Sequence, residues 1–156
     1  MIEMGLPSVR NERGQALIEM SLVLILLLML LFGITEFGRL YYYNLTVSNA
    51  ARAGARYASV TKIDTAGGQT QVQYNTALKQ YIAERAFPGD AAKIAALKDD
   101  NPAGGNIVLS YIPSPRVSGS EISITVNYPV QIYAPIVSYF TGNPRTVSAK
   151  VIMRAE

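Results

Sequence analysis

The sequence Arg13-Gly-Gln-Ala-Leu-Ile-Glu19 opens an apolar run that continues to Ile34 and reads LVLILLLMLLF over residues 22–32. At about 1.5 Å per residue, a helix over Ala16–Ile34 is about 28 Å long, close to the thickness of the hydrocarbon core of a bilayer. The run is apolar on every side, whereas a helix at the surface of a soluble domain carries one apolar face. The stretch therefore predicts a transmembrane helix over residues 15–34 rather than a buried core helix.

The segment before this run is short and polar. Residues 1–14 (MIEMGLPSVRNERG) contain Pro7 and charges of both signs, which predicts an irregular leader. In an ordinary secretory signal peptide, the small residues of the cleavage site follow the apolar region. Here the small residue, Gly14, precedes it, so residues 1–14 are interpreted as a leader peptide of a different kind.

Glu19 brings a carboxylate into the outer part of the predicted membrane segment. A charge at the bilayer centre costs about 2.5–3.5 kcal/mol on insertion scales, and less nearer the interface. If the chain were cut after Gly14, a new α-amino group on Gln15 would lie about one helical turn away and could neutralise the carboxylate. That amino group could belong to the same copy or to a neighbouring one. A carboxylate that stays protonated, or that reaches the interface, is the alternative.

The helix is predicted to continue beyond the membrane, over residues 35–59, because no proline and no strong turn interrupts this segment. Small residues in this half allow another backbone to approach closely, either in the chain's own domain or in another subunit. They are Ala50, Ala51, Gly54, Ala55 and Ala58. Tyr41, Tyr42 and Tyr43 lie where an aromatic belt at the outer interface would fall. A membrane-interface role is predicted for these tyrosines, with a partner-binding patch as the alternative.

The rest of the chain, residues 60–156, predicts one extracytoplasmic α+β domain. Spacing and turn residues predict a helix over 70–87, a short helix over 91–97, and strands over 107–112, 121–128 and 145–154. The segment 129–140 is apolar and aromatic, and is either a contact surface for a membrane or subunit, or a folded-in loop. The predicted fold class is α+β: a long N-terminal helix, one or two shorter helices and a small three-stranded antiparallel sheet.

The composition argues against catalysis and nucleic-acid binding. The chain has no cysteine and no histidine, which removes thiolate chemistry and the commonest general base and metal ligand. No glycine-rich phosphate-binding loop is visible, and no paired carboxylates lie at a plausible site, so we expect no enzyme, no cofactor, no metal site and no small-molecule substrate. The net charge is only +3 and the basic residues are scattered, so we expect no nucleic-acid partner.

Two sequence features resemble known families. Gly14 with Glu19, the fifth residue after it, resembles the prepilin-peptidase site of type IV pilin-like proteins. The stretches RGQALIE (13–19) and LFGITEFGRLYYYNLTVSNAARAGARYA (31–58) resemble the TadE-like family of the Tad (Flp) pilus assembly system, with a weaker similarity in TVSAKVIMR (146–154). This resemblance implies a pilin-like fold.

The resemblance also implies a role. It is that of a minor pseudopilin, a structural assembly subunit of adhesive bacterial pili. Gly14 would precede the scissile bond, Gln15 would be the new N-terminus and Glu19 the assembly or recognition carboxylate. Met20 departs from the tyrosine that often follows this glutamate in processed pseudopilins, so an uncleaved anchored subunit also remains open.

The implied partners are other pilin-like subunits, Tad assembly components, a prepilin peptidase and the membrane. The implied location is the bacterial inner membrane, crossed once, with the N-terminus in the cytoplasm and the C-terminal domain periplasmic or otherwise extracytoplasmic. The alternative function is a single-pass, membrane-anchored extracytoplasmic binding module unconnected with pili.

Overall fold

One long helix leads into a small sheet and three shorter helices in the computed structural model, which describes residues 12–63, 67–98, 105–112 and 116–156. The elements in chain order are α1 (Glu12–Val60), α2 (Gln71–Ala86), α3 (Ala91–Lys98), β1 (Asn106–Ile112), β2 (Glu121–Val130), α4 (Pro135–Thr141) and β3 (Arg145–Arg154). The predicted α+β class, with a long N-terminal helix and a three-stranded antiparallel sheet, is confirmed.

Helix α1 is 49 residues long and continuous, so it covers both the predicted transmembrane segment, 15–34, and its predicted continuation, 35–59. It begins earlier than predicted, because residues 12–14 are helical rather than irregular. Helix propagation is cooperative, and no proline lies between Glu12 and the apolar run to stop it. Residues 1–11 of the predicted leader lie outside the described residues.

The sheet is an antiparallel meander with the strand order β1-β2-β3. Alternate residues of β2 turn toward the helices, and Ile122, Ile124 and Val126 are fully buried there. Strand β2 extends past the predicted end at Tyr128 to Val130 and so includes Pro129. Pro129 pairs with Thr146 of β3 and lies beyond the stretch paired with β1, whose first residue, Asn106, is opposite Asn127. Proline cannot donate to a ladder and is tolerated where a strand is present on one side only.

The core lies between the second half of α1, helix α2 and one face of the sheet. Small residues on α1 let this helix approach α2 and β2 closely, and larger aliphatic side chains of the other elements fill the remaining space. The largest fully buried apolar side chains are Val47, Leu78, Ile82, Leu97, Ile107, Ile122, Ile124, Val126 and Val130.

The C-terminal end of α1 is closed by residues distant in sequence. Arg116 donates a hydrogen bond to the Ala58 carbonyl, and the Tyr74 hydroxyl donates to the Thr61 carbonyl at 3.3 Å. The backbone N–H of Glu156 donates to the Ser59 carbonyl at 2.9 Å. The last carbonyls of a helix have no partner within the helix, so these bonds join the C-terminal part of the chain to α1.

Helix α4 was not predicted. All but its last residue, Thr141, lie in the apolar segment 129–140, and seven residues are too few to show a helical period. The local signals are Pro135 in the first turn, where its fixed φ suits a helix, and Gly142, with φ of 76°, directly after the end. The connection from β2 to β3 is therefore a loop followed by one short helix.

Candidate assembly helix and its junction with the domain

The N-terminal half of α1 exposes its apolar side chains on all sides. From Leu17 to Ile34 the leucine, isoleucine, valine, methionine and phenylalanine side chains are all exposed. In the part of the chain that the structure describes, α1 is the one helix long and apolar enough to cross a membrane. Such a surface is stable only against lipid or other apolar helices. A single N-terminal apolar helix of this kind fits a single-pass membrane anchor.

The polar groups within the apolar run differ in how they are satisfied. The Ser21 hydroxyl donates to the Leu17 carbonyl at 2.7 Å, and the Thr35 hydroxyl donates to the Leu31 carbonyl at 2.9 Å. Glu19 is exposed and has no hydrogen-bond or ionic partner among the described residues. The Glu19 carboxylate is thus the polar group of this run that needs a partner from outside the helix.

The predicted processing residues lie in the first turns of α1. The peptide bond between Gly14 and Gln15 follows the start of the helix at Glu12 by only a few residues, and Gln15 is exposed. Hydrogen bonds in the first turn of a helix fray most readily. Glu19 follows Gln15 by four residues, about 6 Å along the axis and about one turn away.

Where α1 leaves the apolar run, a buried ion pair joins it to the domain. Glu36 is only 5% exposed and accepts a hydrogen bond from the Arg39 guanidinium one turn later. Arg39 also donates to the backbone carbonyl of Gln131, and the backbone N–H of Tyr133 donates to Glu36 Oε1 at 3.4 Å. These bonds fix the loop after β2 against α1 at the end of its apolar half.

The same loop is held from its other side. The Asn143 side chain accepts a hydrogen bond from the Ile132 N–H at 3.0 Å and donates one to the Ile132 carbonyl at 3.0 Å. The Arg39 guanidinium lies 4.5 Å from the centroid of the Tyr133 ring, a cation–π distance. The loop over 131–134 is therefore a fixed part of the junction.

The five predicted helix-packing residues are all buried within the chain's own domain: Ala50, Ala51, Gly54, Ala55 and Ala58. A Cβ placed on Gly54 would lie 2.3 Å from Cγ1 of Ile82 and 3.6 Å from Cδ1 of Ile124. The sequence left two arrangements open for this face, packing against the chain's own domain or against another subunit. In the structure, the face packs against the chain's own domain. Surface for another helix is available on the exposed apolar half of α1.

The three predicted interface tyrosines have different environments. Tyr41 and Tyr42 are exposed, and the Tyr41 ring stacks on Phe37 with centroids 6.4 Å apart. Tyr43 stacks on Tyr128 at 5.4 Å, at the edge of the core. Tyr43 thus takes part in domain packing, while a membrane-interface role for Tyr41 and Tyr42 stays a prediction.

An aromatic cluster supports this side of α1. Tyr43, Phe87 and Tyr128 lie in mutual contact, with ring centroids 4.6 Å apart between Phe87 and Tyr128. Burial raises the pKa of the Tyr128 phenol above its usual value.

An ion pair lies near this cluster: the Lys93 ammonium pairs with Asp90 at 2.8 Å, and hydrogen bonding from Lys93 lowers the pKa of the Asp90 carboxyl. No group of three acidic residues able to hold a metal ion occurs in the described ranges.

The Glu36 junction was missed by the sequence interpretation, although a signal for it exists. Glu36, Leu40, Tyr43 and Val47 follow each other at helical spacing and so share one face of α1. That face is the buried one, and Arg39 lies one turn from Glu36. A glutamate on the apolar face with an arginine three residues later indicates a buried ion pair.

A comparison with known protein families finds a match within α1. Residues 14–56 match the family model described as TadE-like protein, and this match supports the TadE-like assignment made from the sequence. The matched residues cover the apolar half of α1, the Glu36–Arg39 pair and most of the small-residue face. No curated protein and no solved structure gives a significant match. A TadE-like segment indicates a protein associated with the Tad pilus.

Proposed function

We propose that this TadE-like chain is a minor pseudopilin, a structural assembly subunit of a Tad (Flp) type IV pilus system that α1 anchors in the bacterial inner membrane. One observation carries the proposal: the two halves of α1 are used differently. The half after Glu36 is packed into the chain's own domain, while the apolar half before it is exposed and carries the unpartnered Glu19.

The exposed half is suited to packing beside other pilin-like helices within a bilayer or a filament. Cleavage after Gly14 by a prepilin peptidase would place an α-amino group on Gln15, about one turn from Glu19. An ammonium from this copy or from a neighbouring copy would neutralise the carboxylate and remove much of the cost of burying it. The position of the bond in the fraying first turn of α1 supports access by the peptidase.

The proposed orientation places the N-terminus in the cytoplasm and the α+β domain outside the inner membrane. The domain would then be presented to other Tad components on the extracytoplasmic side. We assign no catalytic activity, cofactor, small-molecule substrate or nucleic-acid partner to the chain. Its proposed partners are pilin-like subunits, assembly components, the peptidase and the membrane itself.

Processing is tested by expressing the chain with and without an active prepilin peptidase and measuring the intact mass and the N-terminal sequence. We expect a product that begins at Gln15 only in the presence of the peptidase. Gly14→Val should block its formation, whereas Gly33→Ala, which meets no atom within 4 Å, should leave it unchanged. A chain that keeps Met1 beside a control pilin that is cleaved would refute processing and leave an uncleaved anchored subunit.

Assembly is tested in cells by replacing Glu19 with alanine and measuring pilus formation. We expect pili to be lost, and we expect Glu121→Ala, at the exposed start of β2, to leave pili unchanged. Photo-crosslinking from the exposed Leu24 or Met29 should yield adducts with pilin-like subunits. Normal pili in Glu19→Ala cells, with adducts only to unrelated envelope proteins, would favour the membrane-anchored binding module instead.

A further inference from the structure

The connection between β2 and β3 reaches the level at which α1 emerges from its apolar run. Tyr133 and Ala134 line a cavity of about 320 Å³ together with Phe32, which belongs to the last turns of that run. Helix α1 is continuous, so a residue that contacts it beside Phe32 lies at the same depth along the helix axis as Phe32. The connection therefore lies beside the end of the transmembrane segment.

The connection has the composition of a segment that contacts lipid. No Asp, Glu, Lys or Arg occurs from Pro129 to Pro144. Tyr133 is 76% exposed and Tyr139, on α4, is 85% exposed. Tyrosine is favoured at a membrane interface because its ring is apolar and its hydroxyl is polar.

Aromatic side chains also surround α1 at this level. Phe37 and Tyr41 stack on one side of the helix, and Tyr42 is exposed on another. We refer to these three side chains, together with the exposed Tyr133 and Tyr139 of the β2–β3 connection, as the aromatic collar. A collar of exposed aromatic rings at the end of an exposed apolar helix is the arrangement found at the interfaces of membrane proteins.

The collar is held in place relative to the anchor. Asn143 bonds both backbone groups of Ile132 and so closes the connection on itself. Two bonds tie the connection to α1: Glu36 accepts the Tyr133 N–H, and Arg39 donates to the Gln131 carbonyl. The connection cannot move away from α1 without breaking these bonds. Once α1 spans a bilayer, Tyr133 is thus held beside the headgroup layer.

From these observations we infer that the β2–β3 connection is a second membrane contact, in which Tyr133 and Tyr139 insert into the headgroup layer of a lipid bilayer. The chain then contacts the membrane at two places: α1 spans the bilayer, and the β2–β3 connection contacts the headgroup layer. This inference rests on the proposed anchoring by α1. Continuity with the apolar run and the absence of charge favour lipid over a protein partner.

The chain contains no tryptophan, so a single introduced tryptophan reports its own surroundings. Tyr139→Trp is the reporter for the inferred contact, and Tyr133→Trp is a second one in case the first disturbs α4. Val117→Trp is the matched control, since Val117 is also exposed but adjoins Arg116, which bonds the far end of α1. Leu26→Trp reports on the anchor itself.

Each full-length variant is reconstituted in phosphatidylcholine vesicles whose acyl chains carry bromine at a shallow or a deep position. We expect the Tyr139→Trp emission to lie at shorter wavelength in the presence of vesicles and to be quenched by shallow bromine. The emission of Val117→Trp should keep its intensity. Leu26→Trp should be quenched most by deep bromine. Quenching of Leu26→Trp without quenching of either collar reporter would overturn the second contact and leave the anchor intact.

Two further results would also overturn the inference. If bromine does not quench Leu26→Trp, α1 does not anchor the chain in the bilayer, and the inferred second contact fails together with the proposed anchoring. If the collar reporters change only when the protein-to-lipid ratio is raised, a second copy of the chain occupies this surface instead of lipid.

Discussion

Glu36 accepts a hydrogen bond from the backbone N–H of Tyr133 at 3.4 Å, although 97 positions of sequence separate the two residues. This bond joins the membrane end of α1 to the loop after the central strand. At the other end of the packed half of α1, Arg116 bonds the Ala58 carbonyl across 58 positions. The domain is therefore attached to α1 at both ends of their interface.

Replacing Glu36 with alanine should destabilise the domain by about 1–3 kcal/mol, because the partly buried Arg39 and the Tyr133 N–H lose their acceptor. The measurement is urea denaturation of the full chain in detergent micelles, followed by near-UV circular dichroism. Glu84→Ala, at an exposed position on α2, is the control and should change stability by less than about 0.5 kcal/mol. Equal stability of the two variants would show that the junction contributes nothing.

Gly54→Ala should destabilise the domain, by about 1 kcal/mol, despite the better helix propensity of alanine. The new Cβ would lie 2.3 Å from Cγ1 and 2.6 Å from Cδ1 of Ile82. Relieving such overpacking costs about 1–3 kcal/mol, while the propensity gain is at most about 1 kcal/mol. The measurement is the same denaturation curve.

Two controls separate overpacking from propensity at Gly54. Gly38→Ala, whose Cβ would meet nothing within 4 Å, should leave the domain's stability unchanged or raise it. In an Ile82→Ala background the clashing atoms are gone, so Gly54→Ala should become neutral or stabilising. The same loss in both backgrounds would mean that close packing against Ile82 is not the reason for glycine.

The adjacent tyrosines Tyr42 and Tyr43 should respond differently to truncation. Tyr43→Ala removes a ring that stacks on Tyr128 and touches Phe87, and should cost about 2–3 kcal/mol of unfolding free energy. Tyr42→Ala removes an exposed ring and should stay within about 0.5 kcal/mol. Thermal unfolding in micelles compares Tyr43→Ala with Tyr42→Ala. Similar losses of stability would contradict the claim that Tyr43, and not Tyr42, packs in the domain.

The stability of the domain should fall as the pH rises from about 10 toward 12. Burial raises the pKa of the Tyr111 phenol to about 12 from its usual value of 10.0. The unfolded chain therefore loses this proton first, and the stabilisation that is complete below pH 10 is lost as the pH rises through the folded value. Denaturation curves at a series of alkaline pH values measure the slope.

Tyr111→Phe should reduce that slope, since the ionisable hydroxyl is gone. The Tyr111 hydroxyl donates to Asn75 Oδ1 at 2.8 Å, so Asn75→Ala tests whether the hydrogen bond is responsible. Because burial is the largest cause of the raised pKa, Asn75→Ala should lower stability below pH 10, where the hydroxyl is protonated, and should keep most of the slope. A slope that disappears in Asn75→Ala would assign the effect to the hydrogen bond.

Local pattern determined much of this protein from the sequence alone. The apolar run, with no proline between Pro7 and Pro88, predicted one continuous helix. Alternation in residues 121–128 predicted a strand with Ile122, Ile124, Val126 and Tyr128 on one face. Helical and strand periods act between neighbours in sequence, so they can be recognised without knowing the fold. The TadE-like resemblance also rests on contiguous residues, 14–56.

Tertiary structure alone decided which faces of these elements are covered. The sequence left two partners open for the face around Gly54, and the fold brings Ile82 and Ile124 against it. In the fold, Tyr43 packs at the edge of the core whereas Tyr42 is exposed, and Glu36 is buried beneath the loop after β2. Helix α4 forms from a segment without a visible period. Burial depends on contacts between residues distant in sequence. Local spacing can mark one face of a helix as buried, as it does around Glu36, but it does not say which distant segment covers that face.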